Sequence, residues 1–258
     1  MNLNFFLTSP LEQFRILPLI TFNVGGFDFS FTNETLILVL IFFLSIVFFS
    51  SAVKQEDKTF FIIPNRWQSI IESIYNLVLG LVNDNIKSKK ADLFFPLVCF
   101  LFLLVLSSNL IGLVPYSFTI TSHLVVTFGL ALSIFIGINI VCIREHGMHF
   151  FSLFLPSGTA LGLAFVLVPI ELVSYVFKPI ALATRLFANM MAGHILLKVI
   201  AGFAYVLMGS TGILFFLHYV PLLILIPLFG LELGVAVIQS FVFAILICIY
   251  LNDSINLH

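Results

Sequence analysis

The chain has 258 residues, 61 % of them hydrophobic and 9 % charged, with a formal net charge of −1 and a mean hydropathy of +1.20. That balance excludes an ordinary soluble domain, and a net charge near zero leaves no electrostatic footprint for nucleic acid. An all-α membrane protein is expected: the runs 35–53, 93–115 and 123–143 contain no Asp, Glu, Lys or Arg, and about 20 apolar residues in a self-satisfied helix cross a hydrocarbon core.

In chain order, residues 1–33 form an N-terminal tail without a basic segment leading into a clean apolar one, and without an Arg/Ser-rich presequence. Insertion is therefore expected to use the spanning helices themselves. The first of these covers 34–53. A polar stretch, KQEDKTFFIIPNR, leads into residues 65–88, where Trp67, Ile70, Ile71, Ile74, Leu77, Val78, Leu81 and Val82 recur at three- and four-residue steps. Gln68, Glu72, Asn76, Asn83 and Asp84 lie elsewhere on the wheel. This pattern predicts one amphipathic helix lying in the interface plane, the alternative being a helix packed on the protein's own surface.

Two further spanning helices are predicted over 92–115 and 121–143, and two longer segments over 158–202 and 213–251. The MGSTG stretch between the long segments, with Gly209 and Gly212, marks a turn that folds them into a long tilted hairpin. The expectation is a single membrane domain of five membrane-embedded helices plus the interfacial one. Cys99, Cys142 and Cys248 fall on separate apolar segments without metal-ligand or disulfide spacing and read as small apolar residues.

Orientation follows the Lys and Arg content of the short loops. Lys54, Lys58, Arg66, Lys87, Lys89 and Lys90 lie between the first and second spanning helices, and Arg144 lies two crossings later on the same side. The tail carries only Arg15. The N-terminus is thus expected outside, and the interfacial helix and C-terminus inside.

The two long segments hold the costly groups. Glu171, Lys178, Arg185, His194 and Lys198 lie in the first of them, and a charge at the centre of an isolated membrane helix costs about 2.5–3.5 kcal/mol on insertion scales. Glu171, Lys178 and Arg185 are seven residues apart, which places them on one stripe, and Asn189 extends it by a turn. His194, nine residues beyond Arg185, turns about 180° away. Pro179 predicts a kink or local break near 175–179. In the last segment Glu232 and Gln239 are again seven apart. Folding the hairpin about residues 210–212 places Gln239 within a turn of Arg185, and Glu232 within a turn of His194.

This arrangement suggests two titratable stations on either side of a fixed cation, with Glu171 toward the inside and the His194/Glu232 pair toward the outside. Histidine and glutamate exchange protons when their surroundings tune them, whereas arginine keeps its proton. Such groups also have structural uses: Lys178 and Lys198 can snorkel or pair locally, and Asn189 and Ser174 can bond between helices. A proton-coupled secondary transporter would bury similar groups but would often show two related halves, and a haem-bearing respiratory subunit would need facing histidine ligands. Neither pattern is present.

The stretches ELVSYVFKPIALATRLFANMMAGH and LELGVAVIQSFVFAILICIYLNDSI, together with NLIGLVPYSFTITSHL and SPLEQF, resemble the subunit a family of F-type ATP synthases over nearly the whole chain. The resemblance implies that Arg185 is the arginine that meets the c-subunit carboxylate, with Gln239 opposite it and Asn189 on its face. It implies that Glu171 and Ser174 line an inner half-channel and that His194 and Glu232 form the outer one. Implied partners are the c-ring, peripheral-stalk and other membrane stator subunits, the lipid bilayer and protons, with no cofactor. The chain would not be catalytic alone, since no nucleotide-binding motif is present. Bacterial members usually carry an acid where His194 stands and a histidine where Glu232 stands, so the exchange here implies a multi-pass protein of the mitochondrial inner membrane, the alternative being a bacterial plasma membrane.

Overall fold

A computed structural model of the chain describes residues 10–24, 27–53, 66–86, 91–114, 117–147, 161–210 and 212–255. The N-terminal part holds a 3-10 turn, Pro10–Phe14, and four short strands: β1 (Pro18–Ile20), β2 (Asn23–Val24), β3 (Phe27–Asp28) and β4 (Phe31–Thr32). β1 pairs with β4 and β2 with β3, both antiparallel, a pairing that the irregular tail did not announce. Among the described residues, seven α-helices follow: α1 (Asn33–Val53), α2 (Arg66–Asn85), α3 (Ala91–Gly112), α4 (Leu124–His146), α5 (Leu161–Met208), α6 (Ile213–Leu217) and α7 (Tyr219–Ile255).

The protein is an all-α membrane protein. By length and composition, α3, α4, and the long α5 and α6–α7 segments can each cross a bilayer, and Asn33–Phe48 of α1 is a shorter apolar helix. α3 starts with Asp92 in its first turn, and α4 ends with Arg144 in its last, charges that complement the helix dipole. Gly147 then closes α4 with φ +54°, a conformation that glycine adopts without steric penalty.

The centre of the fold is the contact of α7 with α3 and α5. Ala236, Ser240, Ala244 and Cys248 recur every four residues on α7, and all four are fully buried. In lipid, helices associate through close van der Waals packing rather than through expulsion of water, so such a stripe of small residues lets the backbones approach. Val98 and Val105 of α3 and Leu182, Ala183 and Leu186 of α5 pack into the same core, with Phe243, Ile247 and Leu251 filling the spaces between. α2 lies over this core through Val78 and Val82, and Ile71 is buried on the same face.

The structure differs from the sequence expectations at four places. First, the apolar face of α2 divides: its Ile71/Val78/Val82 stripe covers the protein while Trp67, Ile70 and Leu77 stay exposed. A wide apolar face can therefore serve both surfaces. Second, of the kink or local break expected near 175–179, the break does not occur, since α5 runs through Pro169 and Pro179 as one helix; each proline deletes a single backbone donor, and neighbouring helices and local adjustments compensate within a membrane. Third, α4 begins at Leu124, after the turn Ile120–Ser122, and runs on to His146. Fourth, the last segment does not start as one helix: Gly212 at φ +77° leads into α6, and α7 begins only at Tyr219. Of the segment bounds, residues 65, 87–88, 115 and 158–160 lie outside the described residues, as do Lys54, Lys58, Lys87, Lys89 and Lys90.

Candidate functional site

α5 and α7 bring together most of the singled-out polar side chains. His194 Nε2 lies 3.8 Å from Glu232 Oε1, with the side chains 16 % and 5 % exposed. That separation suits an ion pair but exceeds hydrogen-bond reach, so proton passage between the two needs a small rotation or an intervening water. The approach depends on Gly193. A Cβ at that position would stand 2.6 Å from Glu232 Oε1 and 2.9 Å from its Cδ, so glycine makes room for the carboxylate against the backbone of α5.

About one turn nearer to Arg185, Asn189 Nδ2 donates to Gln239 Oε1 at 2.9 Å. Between Glu232 and Gln239, the Ala236 carbonyl of α7 accepts from Nδ2 of Asn109, a fully buried residue of α3, at 3.4 Å. The two contacts between α5 and α7 displace the hairpin register by about one helical turn from a fold about 210–212, because α6 inserts an extra turn before α7. Glu232 meets His194 as expected, whereas Gln239 meets Asn189, one turn beyond Arg185, rather than Arg185 itself. Asn189 and His194 also both reach α7, although the helix period places them on different faces. Asn189 is nonetheless exposed like Arg185, whereas His194 is half-buried.

Among the described residues, the buried side-chain atoms without hydrogen-bond partners are Asn109 Oδ1, Thr121 Oγ1, His123 Nε2, His194 Nε2, both Glu232 carboxylate oxygens and Gln239 Nε2. Leaving such an atom dry costs about 1–3 kcal/mol. Five of the seven belong to the polar constellation around α7, which gathers most of these atoms in one place.

Arg185 is exposed and makes no ion pair among the described residues. Ala181, Ala188 and Ala192 are exposed at three- and four-residue steps around it, so the guanidinium stands on a stripe of small side chains. Toward the other end of α5, Glu171 is part-buried and Ser174 exposed, and no contact joins either to the His194/Glu232 pair. Lys178, on the same stripe as Glu171, pairs instead with Asp253 of α7 at 3.5 Å. Its ammonium also lies 5.4 Å from the Tyr175 ring centroid and 5.0 Å from that of Tyr250. Tyr175 in turn donates a hydrogen bond to Asn139 Oδ1 of α4. With the side chains of Lys178 and Asp253 25 % and 47 % exposed, the ion pair contributes at most about 1 kcal/mol. Lys178 thus pairs across helices, and Lys198 remains part-buried on α5.

Sequence reasoning passed over Gly193, Asn109 and the pairing of Asp253. The first two carried a faint signal: a glycine directly before a membrane histidine, and an amide in an otherwise apolar helix.

Comparison with known proteins identifies the family. The family model for the ATP synthase A chain matches residues 35–252, which include Glu171, Arg185, Asn189, His194, Glu232 and Gln239. The chain is 54 % identical over 254 residues to a protein of Pylaiella littoralis named ATP synthase subunit a, covering 97 % of this chain and 99 % of that one. It is 48 % identical over 258 residues to the ATP synthase subunit a of Chondrus crispus, covering both chains fully. It is also 49 % identical over 252 residues to that of Marchantia polymorpha, covering 97 % of this chain and 99 % of the other. With a family match over most of its length and full-length relatives near half identity, the chain belongs to the ATP synthase A chain family.

Proposed function

We propose that this chain is the proton-channel stator subunit of an F-type ATP synthase, not catalytic alone, in which Arg185 separates two offset half-channels. The family assignment supports membership of the membrane sector of that complex. The observation that carries the finer reading is the contrast within one helix. Arg185 is exposed on a stripe of small residues, while His194 is turned inward onto the buried Glu232. A cation left exposed at membrane depth calls for an anionic partner from another chain.

That partner is a carboxylate on each subunit of a c-ring. A proton from the outer aqueous phase is taken up by the His194/Glu232 pair and passed to a ring carboxylate held by Arg185. The neutral carboxylic acid then leaves the guanidinium and turns into lipid, which an ionised carboxylate could not do at acceptable cost. After nearly a full revolution the acid ionises, releasing its proton along the Glu171/Ser174 side, and the resulting carboxylate meets Arg185 again. Arginine suits this position because it attracts the anion and cannot relay the proton. Asn189 and Gln239 fix the adjacent surface of α5 and α7, and the small side chains around Arg185 let a ring helix approach closely. ATP chemistry belongs to partner subunits, and peripheral-stalk subunits hold the stator against rotation. The exchange of histidine and acid at 194 and 232 supports the mitochondrial inner membrane over a bacterial plasma membrane.

Arg185→Ala in the assembled complex tests the reading. Proton-driven ATP synthesis should stop while the complex remains intact, and synthesis at the wild-type rate would sink the assignment. Copurification with a ring of small hairpin subunits separates this role from that of a stand-alone proton-coupled transporter.

A further inference from the structure

The N-terminal turn reaches the polar site. Phe14 ends the turn Pro10–Phe14, and its ring meets the His194 imidazole edge-on, with centroids 6.3 Å apart and planes at 80°. The turn packs against α5, and Phe14 is part-buried there. It is held in place from both sides. Arg15 N donates to Glu12 O at 3.1 Å, which closes the turn. Asn33, the first residue of α1, donates from Nδ2 to Arg15 O at 3.3 Å and accepts from Leu17 N at 3.1 Å. The tail is thereby tied to the start of α1 immediately after Phe14.

His194 is consequently flanked by two unlike neighbours from distant parts of the chain: the Glu232 carboxylate at 3.8 Å and a phenyl ring that can neither accept nor supply a proton. An apolar ring against a half-buried imidazole whose buried Nε2 has no hydrogen-bond partner displaces water without competing for the proton. The geometry points to Phe14 as the lid residue of the His194/Glu232 pair, a positioning residue that covers the imidazole and restricts the water reaching it. The lid extends the reading of that pair as the outer proton station, and its consequence for proton uptake rests on that reading. The element involved is the N-terminal turn, outside the two long helices that carry the rest of the site.

The test uses the assembled, membrane-embedded complex with Phe14→Ala and Phe14→Leu, and diethyl pyrocarbonate, which carbethoxylates imidazole, as the probe. Modification of His194 is followed by peptide mass spectrometry, with His123, stacked on Phe118, as the internal reference. Phe14→Ala should speed modification of His194 several-fold and leave His123 unchanged, and Phe14→Leu, which restores an apolar cover, should return His194 close to the wild-type rate. An unchanged His194 rate in Phe14→Ala overturns the lid, as does equal acceleration at both histidines, which reports general loosening. Proton-driven ATP synthesis is measured on the same samples. Faster modification of His194 that leaves synthesis at full rate supports the lid and overturns the outer-station reading, so the two failures are distinguishable.

Discussion

Asn189 donates to Gln239 at 2.9 Å across the α5–α7 contact, one helical turn from Arg185. Such a bond would be a strong contact in a dry core, but hydrogen bonds between membrane helices average about 0.6 kcal/mol and reach about 1.7 kcal/mol at most. The pair is therefore too weak to hold the hairpin together, which the packing of α7 against α5 and α3 does instead. A double-mutant cycle of Asn189→Leu and Gln239→Leu, read as thermal stability of the assembled complex, should give a coupling of about 0.6 kcal/mol. Proton-driven synthesis should fall much further than stability in each single variant. A coupling of several kcal/mol, or variants with full synthesis rates, would assign the pair to architecture alone.

Gly193 gives a sharper separation of position from stability. A methyl group there would stand 2.6 Å from Glu232 Oε1, 2.9 Å from Cδ and 3.2 Å from Cγ. All three atoms lie in a flexible side chain that can swing aside, and none is backbone. Gly193→Ala should therefore leave assembly intact and slow proton-driven synthesis by displacing the carboxylate from His194. Combining it with Glu232→Asp, which withdraws the carboxylate by one methylene, should recover part of the loss. Wild-type flux in Gly193→Ala would show that the 3.8 Å approach of His194 and Glu232 is dispensable.

The sequence made the membrane class and the polar neighbours on α5 and α7 legible because both rest on local rules. Apolar run length decides spanning, and a seven-residue spacing decides which side chains share a stripe. Arg185, Asn189, Glu232 and Gln239 were accessible in that way. The register between the two helices was accessible only to within a turn, since it depends on how the chain passes from Gly209 to Tyr219. Gly212 with φ +77° and the short α6 consume residues that a simple hairpin would place in α7. Asn109, Phe14 and Asp253 lie beyond such rules: each meets its partner from a distant element, and no periodicity along one helix announces a contact between helices. The split apolar face of α2 was hidden for a related reason, because composition specifies how much apolar surface exists and not which neighbour covers it.

The joint between α3 and the following turn tests packing without touching the polar site directly. A Cβ on Gly112 would stand 2.6 Å from Thr119 Cγ2. Thr119 is buried, and its hydroxyl donates to Ser122 Oγ at 2.7 Å, so its methyl cannot turn away without losing that bond. Gly112→Ala should destabilise the complex by about 1–3 kcal/mol, the range for overpacking a filled core. Adding Thr119→Ser removes the clashing methyl and keeps the hydroxyl, and should restore most of the loss in a thermal melt. Failure of that rescue would place the constraint in the backbone of Gly112.

Asn109 should show the opposite signature. It is fully buried in α3, its Nδ2 makes one long bond of 3.4 Å to the Ala236 carbonyl, and its Oδ1 has no hydrogen-bond partner. A buried polar atom left unpaired costs about 1–3 kcal/mol, whereas replacing the group by an apolar one of similar shape can be neutral or stabilising. Asn109→Leu keeps the volume and removes the unpaired oxygen, so the complex should melt at or slightly above the wild-type temperature. The Ala236 carbonyl that the amide contacts lies between Glu232 and Gln239 on α7, so an amide retained there against its cost is expected to serve the proton path. Proton-driven synthesis should accordingly fall in Asn109→Leu while stability holds, and Asn109→Gln, which keeps the amide with one more methylene, should lose stability by overpacking yet retain more activity per assembled complex. If Asn109→Leu instead loses stability and keeps its rate, the amide is a structural tie between α3 and α7, and the polar path does not include it.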